Sequence, residues 1–339
     1  MPDTPLTDPG LRAALSAGLD APQSERTTQL ARYLARALGP SALALLHYGS
    51  HATRSDARLE SAHDFFAIVS DYESAYESLR KTIGTHYSPH RAAVLNRRLA
   101  PNVIAVSDAE AAPALLAKVA VFSLADFERA CSARARDHFV LGRMFQPAAL
   151  VWARDEASRT GVVQAVLQAR AGSFRWGRAH LPPRFDAEAY CRTLLATSFA
   201  AEIRPEHMDR VSALLDAQRA TIVPMYDALL SWLARSPEGS RGGAGQLSRE
   251  GNTYADRRPP GRWGRFRSSL YFRRSKLRAT LRWVKYIALY DDWLDYVVQK
   301  VARRSGVAIE LSPRERRWPL IFLWPKAIRF LRTRPQRQD

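Results

Sequence analysis

The alternation of apolar and polar positions divides the chain into a first part with short apolar runs and a second part with helical spacing. The short runs are bounded by polar or turn-forming residues, a pattern typical of β-strands. Helical spacing predicts one helix within residues 11–38, ended by Gly39 and Pro40, and another around residues 72–83. We predict four strands, at residues 42–48, 64–69, 103–106 and 118–123. Together these elements predict an α/β domain with a mixed sheet.

The rest of the chain is predicted to be mainly helical. Residues 124–234 have almost wholly helical spacing, whereas residues 235–261 are rich in Gly, Ser, Pro and Arg, as in a flexible linker or disordered loop. Beyond them, apolar residues again recur near helical spacing, which fits a packed surface helix at least as well as a membrane-inserted one. The predicted organisation is an α/β domain at 1–123, a helical domain at 124–234, a linker at 235–261 and a basic, aromatic-rich helical region at 262–339.

The positive charge of the protein is concentrated in its C-terminal quarter. The formal net charge is +18, and residues 251–339 hold 22 Lys and Arg against 7 Asp and Glu, while residues 1–250 hold 29 against 26. Such a region could bind nucleic acid, bind an anionic membrane, or be a solvated face. Aromatic residues lie among the cations at 262–267 and 316–326, which favours the membrane, although base stacking would use the same residue types.

Neither end of the chain predicts a membrane span or a signal peptide. The apolar run at residues 318–324 is far shorter than the roughly 20 residues that cross a bilayer, so it could dip into a membrane but not span it. Residues 1–10 have neither a basic start nor an apolar core. Cys131 and Cys191 are sixty residues apart, and we predict that both are reduced, buried thiols in a cytosolic protein.

The candidate chemistry lies at the junction of the first two predicted strands. Tyr48, Gly49 and Ser50 end the first strand, and Asp64 opens the second. The amides of a Gly-Ser turn can hold phosphate groups, and a carboxylate beside them can bind a metal ion. This pattern predicts a nucleotidyltransferase site, with the polar segment 51–62 as a loop over the nucleotide. The alternatives are that Gly-Ser is an ordinary turn and that Asp64 caps a turn.

A longer series of motifs resembles one family. The series consists of Tyr48-Gly49-Ser50, Asp64-Phe65, His86-Tyr87-Ser88, Lys118, Gly142-Arg143-Met144-Phe145-Gln146-Pro147 and Glu202-Ile203-Arg204. It is similar to the mitochondrial-type phosphatidate cytidylyltransferases, also described as translocator assembly and maintenance proteins, over about residues 43–230. The resemblance implies a nucleotidyltransferase domain followed by a helical one, peripheral attachment to a membrane, and Mg²⁺-dependent formation of CDP-diacylglycerol from CTP and phosphatidic acid.

The resemblance also implies roles for individual residues. Asp64, Ser50 and Lys118 would be catalytic, with Asp64 as the Mg²⁺ ligand. Arg143 and His86 would bind nucleotide. The alternative for Arg143 is a cation on a helix surface, and the alternative for His86 is a structural hydrogen-bonding residue. Glu202 and Arg204 would contact substrate or form a structural ion pair. The residues that would bind nucleotide are Tyr48, Gly49, Ser50, His86, Ser88 and Arg143.

The chain departs from the family pattern at two positions beside the predicted site. His51 stands where the family usually has a second glycine, and Phe66 stands where many nucleotidyltransferases have the second acid of an Asp-x-Asp pair. Asp71 and Asp56 are the remaining candidates for a second metal ligand. The basic extension after about residue 235 is also unlike the mitochondrial proteins, and the richness in Ala and Arg suggests a bacterial homologue.

The sequence therefore predicts a CTP:phosphatidate cytidylyltransferase that lies on the cytoplasmic, inner face of a membrane. Its expected partners are CTP, phosphatidic acid and the anionic membrane surface, and we do not expect nucleic acid to be one. One alternative is a nucleotidyltransferase with another acceptor. The other is a catalytically silent module that binds anionic membrane or RNA through residues 257–339.

Overall fold

The computed structural model describes residues 6–49, 62–84, 87–108, 115–201, 208–235, 247–289, 311–312 and 314–315. Residues 1–284 form one compact unit and residues 285–339 a second. The loop predicted at 51–62 therefore lies outside the described residues except for Ala62.

A mixed five-stranded sheet is the centre of the first unit. Its order is β3-β4-β2-β1-β5, in which β2 and β4 are parallel and the other neighbouring strands are antiparallel. The first four strands confirm the four predicted runs. The strands are β1 (Ala42–Tyr48), β2 (His63–Val69), β3 (Asn102–Asp108), β4 (Leu115–Ser123) and β5 (Ala149–Ala153).

Strand β5 shows that the prediction of an almost wholly helical region at 124–234 was wrong at this point. The strand pairs with β1, so the sheet includes a segment from beyond the predicted domain boundary. Five residues span less than two helical turns, and periodicity alone cannot distinguish a strand from a buried helix over so short a run. Buried apolar side chains from both sides of residue 123 form a single core cluster.

Helices cover the sheet and continue beyond it. The helix predicted within 11–38 is two helices, because Ser24 caps a new helix with a hydrogen bond from the amide of Thr27. The helix predicted around 72–83 is confirmed with those bounds. The helices are α1 (Pro9–Leu15), α2 (Glu25–Leu38), α3 (Tyr72–Ile83), α4 (Pro89–Arg98), α5 (Leu124–Cys131), α6 (Leu141–Met144), α7 (Glu156–Ala171), α8 (Ser173–Gly177), α9 (Ala187–Ala200), α10 (Met208–Arg235) and α11 (Arg262–Leu289).

Part of the predicted linker at 235–261 is a folded hairpin. Strands β7 (Leu247–Glu250) and β8 (Thr253–Asp256) pair with each other, and β8 also pairs with the short strand β6 (Arg184–Phe185). Tyr254 is fully buried, and its hydroxyl lies 2.7 Å from a carboxylate oxygen of Asp227. The linker prediction was therefore wrong for residues 247–256. The segment is mostly polar, but Leu247 and Tyr254 are buried.

Helix α11 begins the predicted basic region, and its residues up to Val284 pack through one face against the rest of the first unit. Ser275 is buried there, and its Oγ accepts a hydrogen bond of 2.9 Å from the amide of His138. The ring of Tyr271 lies 4.3 Å from that of Trp176. Among the helices that the structure describes, none combines the length and the apolar character needed to cross a lipid bilayer.

A fully buried cation joins three segments of the core. Arg170, in α7, donates hydrogen bonds to four backbone carbonyl groups. Two of these acceptors, Leu15 and Ala17, lie at the end of α1, and the other two, Met144 and Gln146, lie at the end of α6. Burial lowers the pKa of Arg170 to about 10, so the guanidinium group is charged at neutral pH. The two cysteines are free and buried, as predicted.

His138 is buried inside an aromatic cluster. Its ring lies 5.1 to 6.0 Å from the rings of Phe145, Trp176, Tyr271 and Phe272. Both ring nitrogens are buried and have no hydrogen-bond partner among the described residues. Burial lowers the pKa of His138 to about 3. The imidazole ring is therefore neutral, and protonating it in place is costly.

We expect His138 to make the protein less stable in mild acid. Between pH 6.5, where His titrates in an unfolded chain, and pH 3, the unfolded state binds a proton that the folded state does not, so stability falls with falling pH. Between pH 7.5 and pH 5 the titration of this residue in the unfolded chain should lower the free energy of unfolding by about 2 kcal/mol. Urea unfolding at both pH values should show a smaller acid loss in His138→Phe than in the wild type. The exposed residue His90 supplies the control His90→Phe, which should keep the wild-type loss. An equal loss in all three proteins would contradict the prediction.

Candidate functional site

Three of the predicted site residues form a row across neighbouring strands. Tyr48 of β1 pairs with Asp64 of β2, and Asp64 pairs with Lys118 of β4. Residues paired directly across strands have side chains on the same face of the sheet. The row thus places an aromatic ring, a carboxylate and an exposed ammonium group side by side. The prediction that Asp64 lies at a strand end is confirmed, because it is the second residue of β2.

Gly49 lies directly against the Asp64 carboxylate. Its φ is +88°, a conformation that residues with a Cβ rarely adopt. A Cβ built at this position would lie 2.8 Å from Oδ2 of Asp64. Glycine is required here both by the backbone conformation and by the approach of the carboxylate. The end of β1 and the start of β2 therefore form one closely packed corner.

Arg143 reaches the same row from α6. Its guanidinium group lies 3.9 Å from the ring centroid of Phe139 and 5.8 Å from that of Tyr48. Its Nη1 also donates a hydrogen bond of 2.7 Å to the carbonyl oxygen of Phe139. The side chain is only partly exposed and is oriented by two rings. Arg143 is thus a partly exposed helix cation that two rings orient, and its role in nucleotide binding stays a prediction.

Phe66 supports the row from within the core. Its ring is fully buried and stacks on that of Tyr48 at 4.4 Å. It also packs edge-on against Phe122 at 5.6 Å. The position that holds a second acid in many nucleotidyltransferases is thus a packing position in this chain, which explains the departure in the sequence.

Asp71 does not complete a metal site with Asp64. The two residues are separated by the rest of β2, and the five steps from Asp64 to Val69 alone extend roughly 16 Å. Asp71 instead caps α3, where it accepts a hydrogen bond of 2.9 Å from the amide of Ser74. That hydrogen bond holds the pKa of Asp71 below its ordinary value. Its proposed metal role was wrong.

The row of Tyr48, Asp64 and Lys118 offers one carboxylate to a metal ion. The described residues contain no group of three or more His, Cys, Asp or Glu side chains that could hold a metal. Mg²⁺ commonly needs only one or two carboxylates when substrate phosphates supply further ligands. Asp64 is the carboxylate in the row, and the neighbouring Lys118 could bind a phosphate oxygen.

The sequence interpretation missed a pair of buried histidines behind the row. His47 precedes Tyr48, so its side chain points to the opposite face of β1. Its Nδ1 lies 2.7 Å from Oε1 of Gln23, and its ring lies 5.3 Å from that of His63. Both histidines are buried. The signal was a polar residue near the end of each of two apolar strands, which indicates a hydrogen-bonded support for that end of the sheet.

The structure gives Ser88 a capping role. It precedes α4, and its Oγ accepts a 3.4 Å hydrogen bond from the amide of Arg91. Its predicted role in nucleotide binding stays a prediction. Several other predicted positions lie outside the described residues, namely Ser50, His51, Asp56, His86, Glu202 and Arg204.

No protein-family model matches the chain, and no curated protein matches it. The family resemblance therefore depends on the ordered sequence motifs alone.

Proposed function

We propose that the protein is a nucleotidyltransferase that transfers a cytidylyl group from CTP to phosphatidic acid and releases pyrophosphate. The supporting observation is the corner at which Gly49 touches the Asp64 carboxylate, in a row with Lys118 and Tyr48. Glycine at this strand end lets the Asp64 carboxylate lie close to a backbone whose amides could hold a phosphate group. The adjacent carboxylate is placed for a metal that the same phosphates would share.

The residues of the row and Arg143 have complementary tasks in this proposal. Bound Mg²⁺ would neutralise charge that develops on the pyrophosphate leaving group. Asp64 would hold that ion, and Lys118 and Arg143 would donate hydrogen bonds to phosphate oxygens. The acceptor phosphate attacks the α-phosphorus in line. It needs no general base, because it is already mostly ionised near neutral pH. Its second ionisation has a pKa of about 6 by analogy with phosphoamino acids.

An exposed apolar stripe on α11 supports the membrane part of the proposal. Its residues recur at intervals of three, four or seven along the helix, so they lie on one side, and arginines flank them. A helix with an apolar side and cationic flanks is typical of a segment that lies in the interface of an anionic membrane. The exposed residues of the stripe are Trp263, Phe266, Leu270, Leu277, Leu281 and Val284.

We propose on this basis that the protein binds the inner, cytoplasmic face of a membrane, where its lipid substrate would lie. Basic residues near an anionic surface contribute about 1 kcal/mol each. The apolar stripe favours a lipid surface over nucleic acid, because leucine and valine offer no stacking face for bases.

The proposed activity is tested by incubating the full chain with CTP, Mg²⁺ and phosphatidic acid in mixed micelles. We expect equal amounts of CDP-lipid and pyrophosphate, and neither product without Mg²⁺ or without phosphatidic acid. A parallel series replaces phosphatidic acid with soluble sugar phosphates or with nucleic-acid ends. Turnover with these acceptors alone would point to a different nucleotidyltransferase. No turnover with any acceptor would favour a module that only binds.

We expect the stripe to be needed for binding to anionic vesicles. Trp263 and Phe266 are 77% and 56% exposed, so Trp263→Ala combined with Phe266→Ala should fold normally. Loss of two interfacial aromatic side chains should weaken binding about tenfold or more in a vesicle flotation assay. Leu116→Ala removes an exposed leucine that is not on α11 and should have little effect. Unchanged binding by the double variant would exclude the stripe as the membrane contact.

A further inference from the structure

A second cationic site lies away from the row. A surface cleft is lined by residues at or beside α4, β4, α5 and α11 and in the segment that precedes α6. Only two of the lining residues, Asp126 and Asp137, are acids. The cationic lining residues are Arg97, Arg98, Arg129, Arg136, Arg278 and Arg282.

The inner part of the cleft is organised around Asp137. Its Oδ2 accepts hydrogen bonds from Arg278 Nε at 2.7 Å and from Arg282 Nη2 at 2.5 Å. Burial raises the pKa of Asp137, but the attraction of Arg282 and the hydrogen bond from Arg278 outweigh it and hold the pKa below its ordinary value. One carboxylate thus neutralises one of two adjacent guanidinium groups.

Several cationic groups at the cleft are not neutralised. Arg98 and Arg136 are exposed and have no ion-pair partner among the described residues. Nη1 of Arg282 is buried and has no hydrogen-bond acceptor within the part of the chain that the structure describes. A buried donor without an acceptor is costly. Like charges gathered in one cleft are also mutually repulsive. An anion bound in the cleft would relieve this repulsion.

We propose that this cleft binds a phosphate monoester in its dianionic form. Such a group carries three strong acceptor oxygens and up to two negative charges. Guanidinium groups bind phosphate with paired, charge-assisted hydrogen bonds. The six arginines gather at one cleft, an arrangement that fits a single phosphate group better than the extended backbone of a nucleic acid.

The cleft is distinct from the proposed transfer site. Phe122 lines the cleft, whereas Lys118 belongs to the row, and four steps along a parallel strand extend roughly 13 Å. Phe122 and Lys118 therefore mark different points along β4 for the cleft and the row. The inference goes beyond the proposed function and does not depend on it.

The positions of two cleft arginines on α11 suggest how the phosphate reaches the cleft. Arg278 and Arg282 each follow a leucine of the exposed stripe, Leu277 and Leu281. The cleft and the stripe are thus neighbouring faces of one helix. The phosphate could belong to a lipid headgroup at the same membrane surface or to a soluble compound. The chemistry recognised is the same in both cases.

The test is titration of the full chain with inorganic phosphate in chloride buffer, with binding measured by isothermal titration calorimetry. CTP and Mg²⁺ are left out, so the result is independent of any enzymatic activity. We expect saturable binding that weakens about tenfold or more in Arg98→Gln combined with Arg136→Gln. Arg32→Gln combined with Arg36→Gln removes the same charge from the exposed face of α2 and should change affinity less than about twofold.

Vesicles distinguish the source of the phosphate. Phosphatidic acid has a phosphate monoester headgroup, and phosphatidylglycerol has a diester. If the cleft binds a headgroup, the wild type should prefer the first lipid and the Arg98/Arg136 variant should lose that preference. A preference that survives while phosphate affinity falls would support a soluble ligand in the same cleft. Absence of saturable phosphate binding by the wild type, or an equal loss in the two double variants, would overturn the proposal.

Discussion

Asp64→Asn is expected to lower the rate of CDP-lipid formation by about a hundredfold to a thousandfold. The change keeps the size of the side chain but removes the charge that would hold Mg²⁺ beside the triphosphate. Removal of one preorganised electrostatic contact to a developing charge commonly has an effect of this size. The measurement is the initial rate of pyrophosphate release at saturating CTP and phosphatidic acid. Urea unfolding of the same preparations would show that the variant is folded.

Asp71→Asn is the matched control for this loss. Asp71 caps α3, so its replacement should lower stability by about 1 kcal/mol or less and leave the rate nearly unchanged. A rate that survives in Asp64→Asn but falls in Asp71→Asn would contradict the assignment of the site.

A second variant is expected to displace the Asp64 carboxylate without changing Asp64 itself. Gly49→Ala would place a Cβ 2.8 Å from Oδ2 of Asp64, so the carboxylate must move, and we expect a similar loss of rate. Gly84 also has a positive φ, of +63°, but a Cβ there meets nothing within 4 Å. Gly84→Ala therefore introduces backbone strain without a new side-chain contact, and the rate of CDP-lipid formation should stay near that of the wild type. Equal rates in the two glycine variants would show that the contact with Asp64 is not important for catalysis.

Arg170→Met is expected to lower the free energy of unfolding by about 3 to 5 kcal/mol. The guanidinium group satisfies four carbonyl groups, and methionine would leave these acceptors without that donor in the core. Because the pKa of Arg170 is lowered only to about 10, the group stays charged from pH 5 to pH 9, and the loss should be the same across that range. Urea unfolding at two pH values in this range would measure it.

Arg159→Met is the control on the same helix. Arg159 is 39% exposed and pairs with Asp20 at the surface, so its loss should cost about 1 kcal/mol or less. Destabilisation of equal size in both variants would mean that the buried hydrogen bonds of Arg170 contribute little. Because two of its acceptors lie at the end of α6, the Arg170 variant should also weaken activity through the position of Arg143.

The prediction of the first four strands and of α3 succeeded because each is specified locally. The runs that became β1 and β2 are continuous apolar segments between turn-forming residues, and Asp71 and Gly84 mark the ends of α3. The Gly49 and Asp64 pattern was also visible in the sequence. The sequence analysis placed the carboxylate beside the turn, and the structure adds how closely Gly49 and Asp64 approach each other.

The errors fell where the local signal was weak or misleading. Strand β5 was too short to show its period, and the β7–β8 hairpin has a composition typical of a linker. Asp71 was considered as a metal ligand because it lies near Asp64 in sequence, but the strand between them keeps the two carboxylates apart.

The sequence by itself determined the first four strands and α3, the location of the positive charge, and the residue types at the candidate site, because these depend on local pattern and composition. Tertiary structure alone decided that Arg143 would be held by the rings of Tyr48 and Phe139, and that Arg170 would be fully buried. It also decided that arginines from α4, α5 and α11 would line one cleft. The physical reason is that burial, pairing and charge repulsion depend on neighbours far away in the chain, which local periodicity does not specify.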